Sequence, residues 1–326
     1  MDDFPRMVEV LRGAHRVAVL SHVNPEADCL GAALGCTLAF REQGKAAVAY
    51  NADPLPRALR FLPGAAELVR ADRVPGGLDC VVVVDCSDAE RTGGLLTGVT
   101  VPVLNVDHHK TNVRFGTLNW VLPEASSAGE MVFHLLRALG HAISPPVATN
   151  LYAAVLTDTG SFHYKNTTPE ALRVAAALVE AGAEPARITE GLYDQRDAAE
   201  LRLLSRCLST LQLSRDGRVA WLEVTAADLS EPGLGPDVLE GFINYPRSIA
   251  GVEVALLFKA LGDTGIRVSL RSRGRTDVAA VAAAFGGGGH RNAAGCQVPG
   301  TLAAVREAVL AEVERELARS RGRERG

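Results

Sequence analysis

The sequence predicts an α/β protein, in which a parallel sheet is covered by helices on both faces and is followed by a second, smaller α/β domain. Short runs rich in Val and Ala alternate with longer helical stretches in the first half of the chain, and this alternation is typical of βαβ units. After about residue 215 longer strands dominate. The 326 residues also exceed what one core usually supports, and about 150 residues per domain indicates two domains.

The elements of the first half follow from the spacing of the apolar residues. Strand segments are short, apolar and bounded by polar residues, whereas helical segments repeat apolar residues every three or four positions. The predicted strands are 16–22, 46–50, 79–85 and 101–107, and the predicted helices are 29–44, 126–140, 148–160 and 169–182. The first of these helices ends at Gly44, a residue type that is frequent at helix C-termini.

The second half has a different order of elements. Its predicted strands are 218–224, 252–260 and 265–272, and its predicted helices are 236–245, 278–285 and a long terminal helix from about Leu302. A charged helical stretch at 194–213 is interpreted as the connection between the two parts. We therefore predict a first domain of residues 1–190, a linker helix at 191–215 and a second domain of residues 216–326.

Composition excludes several classes of protein. With 47% apolar and 22% charged residues the chain is not a disordered protein. Its net charge of −4 provides no overall basic field for long nucleic acid, which leaves only a local positive groove open. No stretch approaches the ~18 consecutive apolar residues of a membrane span, and the acidic start lacks a signal-peptide core. We expect a cytoplasmic protein. The six cysteines contain no CxxC pair, so we expect small core residues rather than disulfides or a zinc knuckle.

Three of the predicted strands end in side chains of the types that bind metal ions. Ligands of an open parallel sheet bind beyond the carboxyl ends of its strands, so these side chains are expected to meet at one edge. They are His22, Glu26 and Asp28 after the first strand, Asp85 with Asp88 nearby after the third, and Asp107, His108 and His109 after the fourth. Asp158 adds a carboxylate at the end of an apolar helix.

This number of acidic groups at one point indicates a metal site. A single Asp after a strand usually caps a helix or forms a turn, but several carboxylates together repel one another unless a cation neutralises them. Imidazole and carboxylate ligands without a thiolate favour Mn²⁺ or Mg²⁺, with Zn²⁺ or Co²⁺ as substitutes. The number of carboxylates favours two ions, with Asp85 on a central strand as the bridging ligand.

The motifs resemble those of a known enzyme family. SHVNPEAD, VVVVDCSD, DHH and LTDTGSF, in that order, resemble the four motifs of the DHH phosphoesterase superfamily, and FGGGGHRNAAG at residues 285–295 resembles the glycine-rich signature of its DHH-associated C-terminal domain. The resemblance implies a catalytic DHH domain, a substrate-binding DHH-associated domain and an active cleft between them. The length is similar to that of the small oligoribonucleases, or nanoRNases, rather than to that of the RecJ-type exonucleases, which carry additional domains.

The resemblance also implies a role for each residue at the strand ends. The implied ligands are His22, Glu26 and Asp85 for one ion and Asp28, Asp85, His108 and Asp158 for the other. Two Mn²⁺ ions are expected, with Mg²⁺ or Co²⁺ as substitutes. Asp107 would orient a histidine without binding metal itself, and His109 would face the substrate phosphate as a hydrogen-bond donor or general acid. Asp85, Asp107 and His109 are therefore the predicted catalytic residues.

Glu26 departs from the family pattern, which usually has Asp at this position. A glutamate reaches one methylene further, so three outcomes stay open: direct ligation, ligation through water, or a weakly held first ion. Pro25 and Glu26 are also a typical helix start, where a carboxylate suits the positive end of the helix dipole. The sequence alone does not decide between a metal ligand and a helix start at Glu26.

The second domain is expected to hold the substrate. Its glycine run is not a P-loop because no Gly-Lys-Ser/Thr follows, but glycines let backbone N–H groups approach a phosphate closely. An arginine at the end of the strand 265–272 has the geometry to bind a phosphate with two hydrogen bonds. The predicted substrate-binding residues, which the resemblance supports, are Arg271, Gly286, Gly287, Gly288, Gly289 and His290.

The function implied by the resemblance is hydrolysis of short oligoribonucleotides and dinucleotides to mononucleotides, and of 3′-phosphoadenosine-5′-phosphate (pAp) to AMP. We expect no binding of long duplexes and no membrane partner, and a homodimer is left open. The alternatives are a phosphodiesterase for cyclic di-AMP or linear dinucleotides, a family-II inorganic pyrophosphatase, and a nucleotide-binding sensor with an impaired metal site. The GGGGH motif argues against the pyrophosphatase, and only Glu26 favours the sensor.

Overall fold

The computed structural model describes residues 3–231, 234–239, 241–262, 265–274 and 276–322. The chain divides into two units, Met1–Gln195 and Arg196–Gly326, and each unit contains one six-stranded sheet. The predicted α/β class is therefore confirmed for both halves of the chain.

The first unit begins with a helix and then alternates strands and helices. Its strands are β1 (Arg16–Leu20), β2 (Ala46–Asn51), β3 (Val69–Arg70), β4 (Cys80–Val84), β5 (Val103–Asp107) and β6 (Leu118–Val121). Its helices are α1 (Phe4–Gly13), α2 (Ala27–Glu42), α3 (Ala128–Ala138), α4 (Pro145–Asp158), α5 (Pro169–Glu180) and α6 (Pro185–Tyr193). The sequence patterns do not reveal α1 or β6, because α1 buries only a narrow stripe and β6 has four residues.

All neighbouring strands of the first sheet run parallel, in the order β3-β2-β1-β4-β5-β6. The chain moves outwards from β1 to β2 and β3, returns to the centre at β4, and continues on the other side through β5 and β6. The reversal lies between β1 and β4, where Val17 pairs with Cys80 and Leu20 with Val83. Open α/β sheets bind ligands beyond the strand ends at such a point.

The α-helices of the first unit pack on one face of the sheet, which corrects the prediction of helices on both faces. Alternate side chains of β1, β4 and β5 share a core with helices α1 to α6. The opposite side chains, such as Leu20 and Val83, pack on loop residues that include Val74 and Leu95. Within the described residues no α-helix contributes to this second core. The reason is that the connection from β4 to β5 contains several glycines with positive φ, and these favour turns over a helix.

Close packing of α2 against α4 fixes two predicted site residues relative to each other. A Cβ at Gly31 of α2 would lie 2.5 Å from the carbonyl oxygen of Asn150 in α4, so the helices approach this closely only because the position lacks a side chain. Asp28 lies in the first turn of α2 and Asp158 in the last turn of α4. The packing of the two helices therefore sets the distance between these two carboxylates.

The second unit is a mixed sheet with helices. Its helices are α7 (Ala198–Ser209), α8 (Asn244–Ser248), α9 (Val278–Ala283) and α10 (Leu302–Gly322), and its strands are β7 (Gln212–Leu213), β8 (Val219–Thr225), β9 (Val254–Ala260), β10 (Ile266–Ser272), β11 (Gly288–His290) and β12 (Ala293–Val298). The strand order is β11-β12-β10-β9-β8-β7, with β8 and β9 parallel and the other neighbours antiparallel. The segment 191–215, predicted as a linker helix, contains α7, which groups with the second unit.

Helices cover both faces of the second sheet. On one face Phe258 of β9 shares a core with α9 and α10, and on the other face Leu257 shares a core with Leu203 of α7. The predicted helix 236–245 is instead a 3-10 turn at Pro236–Leu239 followed by the short α8. Between them Gly241 has a φ of 84°, a conformation that interrupts a helix.

No helix within the described residues is long and apolar enough to cross a membrane. All six cysteines are free and buried, in agreement with the expectation of core residues without disulfides. One of them, Cys29, lies in the first turn of α2, close to His22 and Asp85.

Candidate metal centre

The carboxyl ends of β1, β4 and β5 place His22, Asp85 and Asp107 side by side at one edge of the first sheet. The three strands are neighbours in the sheet order. β4 ends at Val84, and Asp85 follows with a φ of 57°. A left-handed residue ends the strand, and Asp tolerates this conformation better than most residues do. The structure thus brings the three side chains to one point.

Asp85 is the centre of the cluster. Its Oδ2 lies 3.4 Å from His22 Nε2, and its Oδ1 lies 3.4 Å from His108 Nε2. Only 4% of its side chain is exposed, and Oδ1 has no hydrogen-bond partner among the described residues. Because a buried carboxylate oxygen without a donor is costly, this atom points to a cation.

His108 is surrounded by carboxylates. Besides its contact with Asp85, its Nε2 lies 3.6 Å from Asp28 Oδ2 and 3.7 Å from Asp158 Oδ2. The side-chain atoms of Asp28, His108 and Asp158 that could bind a metal ion all lie within 4.8 Å of one another. Three carboxylates therefore converge on one imidazole nitrogen.

Both imidazoles present the same nitrogen to the cluster. His22 Nδ1 lies 2.7 Å from the carbonyl oxygen of Val23, and His108 Nδ1 lies 3.3 Å from that of Ala125. A carbonyl oxygen only accepts hydrogen bonds, so each Nδ1 carries a proton. In the neutral ring Nε2 then offers its lone pair to the cluster, which is the arrangement of metal-binding histidines.

Glu26 is the N-cap of α2 and also borders the cluster. Its Oε1 accepts a hydrogen bond from the N–H of Cys29 at 3.1 Å, and the N–H of Glu26 donates to Cys29 Sγ at 3.3 Å. The same Oε1 lies 3.9 Å from His22 Nε2, and half of the Glu26 side chain is exposed. Capping of α2 and ligation of a metal ion by Glu26 are therefore compatible with each other.

Asp28 has a second set of contacts that the sequence does not reveal. Its Oδ2 accepts a hydrogen bond from the N–H of Ala128 at 2.7 Å, and its Oδ1 accepts one from the N–H of Gly129 at 2.9 Å. These N–H groups are the first two of α3. Burial and the nearby Asp85 raise the pKa of Asp28, whereas the two donors and the positive end of α3 favour its charged form. Asp28 therefore anchors α3.

We expect Asp28→Asn to destabilise the metal-free protein. The amide replaces one acceptor oxygen by a donor, so a buried N–H of Ala128 or Gly129 loses its partner. This change lowers the free energy of unfolding by about 2–4 kcal/mol, measured by urea unfolding in EDTA at neutral pH. Asp158→Asn is the matched control, since Asp158 is one-third exposed and is not bound to a helix N-terminus. Equal unfolding midpoints for Asp28→Asn and the wild type would contradict the anchoring role.

Asp158 is held by a chain reversal after α4. Gly160, Ser161 and Phe162 have φ values of 57°, 57° and 64°. Beyond them Asn166 donates to the Asp158 carbonyl oxygen at 3.0 Å, and its Nδ2 lies 3.3 Å from Asp158 Oδ2. Positive φ values in non-glycine residues cost energy and concentrate at functional sites. The strained turn therefore directly follows Asp158, the residue whose carboxylate faces His108.

His109 lies beside the predicted metal ligands but is bound to another carboxylate, that of Asp107. Its Nδ1 is 2.8 Å from Oδ1 of the fully buried Asp107 and 3.5 Å from Asp85 Oδ1. Burial lowers the pKa of His109, but Asp107 and Asp85 outweigh this effect and raise the pKa above its ordinary value. The structure thus places Asp107 where a carboxylate can orient the imidazole ring.

In the absence of a cation, the electrostatic balance of the cluster favours protonated imidazole. Burial lowers the pKa of His108, but Asp85, Asp28 and Asp158 outweigh it and raise the pKa to about 10. Burial raises the pKa of Asp85, but the nearby imidazoles of His108 and His22 outweigh this effect and hold the pKa well below its ordinary value. A divalent cation would replace the proton on His108, so its binding releases protons. Carboxylate oxygens and imidazole nitrogens fit a hard or borderline divalent cation.

The predicted substrate-binding residues of the second unit lie at one end of its sheet. His290 of β11 pairs with Ala293 of β12, and Ala293 pairs with Arg271 of β10. Arg271 and His290 therefore share one rung of the sheet, two strands apart, with backbones roughly 10 Å from each other.

The glycine run has a structural role of its own. Gly286 has a φ of 73°, and the N–H groups of Gly286 and Gly287 donate to the carbonyl oxygens of Ala283 and Ala282 at the end of α9. A Cβ at Gly287 would lie 2.3 Å from the carbonyl oxygen of Gly295, so the hairpin requires glycine there. Two N–H groups of the run are thus already bonded, and its contact with a phosphate stays a prediction.

Several residues near the cluster are missed by the sequence analysis. Asn105 and Asn112 bracket the DHH motif, and Asn166 binds Asp158. Cys29 Sγ lies within 4.8 Å of the possible ligand atoms of His22, Glu26 and Asp85. Asn105 has a signal in the sequence, a polar residue inside an apolar strand, because a buried amide needs partners. The others have none, because their partners are brought close only by the fold.

Comparison with known proteins agrees with the motifs. Residues 16–156 match the DHH family, N-terminal domain, and residues 218–319 match the DHHA1 domain. The bifunctional oligoribonuclease and PAP phosphatase NrnA of Thermus thermophilus is 37% identical over 319 residues, which cover 96% of this chain and 94% of that protein.

Solved structures share the fold. An exopolyphosphatase-related protein from Bacteroides fragilis superposes with a TM-score of 0.92 at 25% identity, over 98% of this chain and 97% of that one. A structure of the exonuclease RecJ bound to manganese has a TM-score of 0.56 at 18% identity, over 98% and 95% of the two chains. With both domains matched in order and a relative of 37% identity over nearly its full length, the chain belongs to the DHH family, and the membership implied by its motifs is confirmed.

Proposed function

We propose that this protein is a metal-dependent phosphoesterase that hydrolyses short oligoribonucleotides and dinucleotides to mononucleotides, and pAp to AMP. The observation that carries the proposal is the position of Asp85, whose two oxygens each lie 3.4 Å from a different imidazole. The similarity to NrnA of Thermus thermophilus supports the choice of substrates.

The cluster supports two divalent cations, expected to be Mn²⁺ with Mg²⁺ or Co²⁺ as substitutes. Carboxylate and imidazole ligands suit these ions, and RecJ, which shares the fold, has been solved with manganese. When bound, two such ions neutralise phosphate charge and lower the pKa of a water molecule. The proposed ligands are His22, Glu26 and Asp85 for one ion and Asp28, Asp85, His108 and Asp158 for the other.

Hydrolysis adds water across one P–O bond. The water oxygen bonds to phosphorus and releases one proton to solvent, the bond to the leaving nucleoside oxygen breaks, and that oxygen takes up one proton. Asp85 belongs to both proposed ligand sets. It therefore lies at the point between them where the phosphate would be held. His109 is the proton donor, because Asp107 binds its Nδ1 and leaves the Nε2 proton as the one that is transferred.

Arg271, His290 and the glycine run are proposed to bind the phosphates and the nucleotide. The shared rung of Arg271 and His290 supports this assignment, because the backbone places an arginine and a histidine at the same level of the second sheet. The net charge of −4 provides no overall positive field, which favours short substrates over long strands.

A substrate panel in Mn²⁺ tests the proposal. We expect turnover of dinucleotides and pAp, no cleavage of a long RNA duplex, and loss of turnover in EDTA. Inorganic pyrophosphate and cyclic di-AMP are included because faster hydrolysis of either one would favour an alternative enzyme. Tight nucleotide binding without turnover of any substrate would contradict the proposal and indicate a sensor.

We expect Glu26→Ala to raise the Mn²⁺ concentration needed for half-maximal rate by about tenfold or more, since a carboxylate is lost beside His22. Glu26→Asp retains a carboxylate and a good N-cap, so its Mn²⁺ dependence is expected to match or improve on the wild type. Glu26→Ser separates the two roles, because serine caps a helix without a carboxylate. A Mn²⁺ titration by calorimetry that is identical for Glu26→Ser and the wild type would show that this residue only begins α2.

A further inference from the structure

The stretch LNVDHHKTN carries an asparagine on each side of its acidic and imidazole groups. We propose that Asn112 is a positioning residue: its side-chain amide holds Asp107, and through Asp107 it holds the imidazole of His109 in the orientation that delivers a proton. This inference rests on the proposed function, in which His109 is the proton donor.

The hydrogen bonds of the Asn112 side chain are short, and together they fix which way round its amide group lies. Its Nδ2 lies 2.6 Å from Asp107 Oδ2, 2.8 Å from Asn105 Oδ1 and 3.1 Å from the carbonyl oxygen of Cys86. Its Oδ1 accepts a hydrogen bond from the N–H of Arg114 at 2.7 Å. The opposite orientation of the amide would place its oxygen against three acceptors, so the NH₂ group faces Asp107.

Asp107 depends on these partners because it is fully buried. One of its oxygens faces His109 Nδ1 at 2.8 Å, and the other accepts from Asn112 at 2.6 Å. A buried carboxylate is stable only when hydrogen bonds compensate its charge. Without the amide, one oxygen loses its donor, and the carboxylate is free to rotate away from the His109 ring.

The network is tied to rigid elements. Asn105 belongs to β5, is fully buried, and donates to the carbonyl oxygen of Cys86 at 3.0 Å. The N–H of Asn112 donates to the carbonyl oxygen of His109 at 3.2 Å, and the next residue, Val113, donates to that of Ser87 at 2.9 Å. Asn112 therefore closes the turn that carries His109 and fixes it to the ends of β4 and β5.

A double-mutant cycle tests the inference. We expect Asn112→Ala to lower kcat for a dinucleotide by about 10–100-fold, as for other residues that act through a partner, with KM and Mn²⁺ content close to those of the wild type. In a His109→Ala background the same substitution should change kcat by less than about threefold, because the group through which Asn112 acts is absent. An undiminished effect in that background would overturn the inference.

The leaving group provides a second readout. A nitrophenyl phosphodiester releases an oxygen that needs no proton, so Asn112→Ala should change its hydrolysis by less than about threefold. Equal losses on both substrates would assign Asn112 a general structural role. The matched control is Asn119→Ala, since Asn119 closes the neighbouring turn through Gly116 without contacting Asp107. If Asn112→Ala does not fold, Asn112→Ser, too short to reach Asp107, replaces it.

An NMR measurement on the metal-free protein separates this inference from the proposed function. In ¹⁵N-histidine-labelled protein, the Nδ1–H of His109, assigned by its loss in His109→Ala, is expected to exchange slowly in the wild type and in Asn119→Ala, and rapidly in Asn112→Ala. Slow exchange in Asn112→Ala would overturn the inference whatever the enzyme hydrolyses. Failure of the wild type to turn over any substrate would contradict the proposed function instead.

Discussion

Asp85→Asn is expected to reduce kcat/KM for a dinucleotide in Mn²⁺ by at least about a thousandfold, which corresponds to about 4 kcal/mol of activation free energy. Asp85 contacts both ligand groups, with one oxygen 3.4 Å from His22 and the other 3.4 Å from His108. The amide has no charge and only one acceptor oxygen, so both halves of the site are damaged. By comparison, loss of a residue that only hydrogen-bonds to a metal ligand lowers metal affinity or activity by about 10–100-fold. Asparagine also tolerates the φ of 57° at this position, so the fold should be retained.

Metal binding distinguishes this result from misfolding. Calorimetry should show weaker Mn²⁺ binding by Asp85→Asn, and its circular dichroism should match that of the wild type. Asp88→Asn is the matched control in the same loop, because Asp88 accepts from the N–H of Arg91 and the hydroxyl of Ser87 and lies outside the ligand groups. Activity of Asp85→Asn within about tenfold of the wild type, or full activity in EDTA, would refute a site with two ions bridged by Asp85.

The position of the site can be predicted from the sequence because it depends on strand ends. His22, Asp85 and Asp107 each follow an apolar run, and parallel strands end at the same edge of a sheet. The order of the strands is not contained in these local patterns. Only the fold makes β1, β4 and β5 neighbours, and this order turns three separate motifs into one cluster.

Contacts between distant segments cannot be predicted in this way. Asp28 belongs to a motif typical of metal ligands, yet its two oxygens bind the start of α3, 100 residues further along the chain. Asn112 likewise has no periodic pattern around it, and its partners Asp107 and Cys86 come from the ends of two different strands. Each case depends on tertiary packing, which a local pattern does not encode.

The hairpin of the second unit shows the same limit at short range. The sequence indicates a glycine-rich loop, and the structure forms β11 and β12 from it. A strand of three residues that includes two glycines carries no alternating pattern. In the proposed function this pairing matters, because it places His290 on the rung of Arg271.

His290→Ala is expected to reduce kcat/KM for a dinucleotide by about 100-fold, the loss that corresponds to one or two hydrogen bonds to a charged phosphate. A small nitrophenyl phosphodiester should be hydrolysed within about threefold of the wild-type rate, and Mn²⁺ content should be unchanged, because His290 belongs to the second unit and the proposed ligands to the first. Arg267→Ala is the matched control: Arg267 is exposed on the same strand as Arg271, but its rung contains Lys259 and Gln297. Loss of Mn²⁺ from His290→Ala, or equal losses on both substrates, would refute a substrate-binding role, since a residue that binds only the nucleotide affects only substrates that carry one.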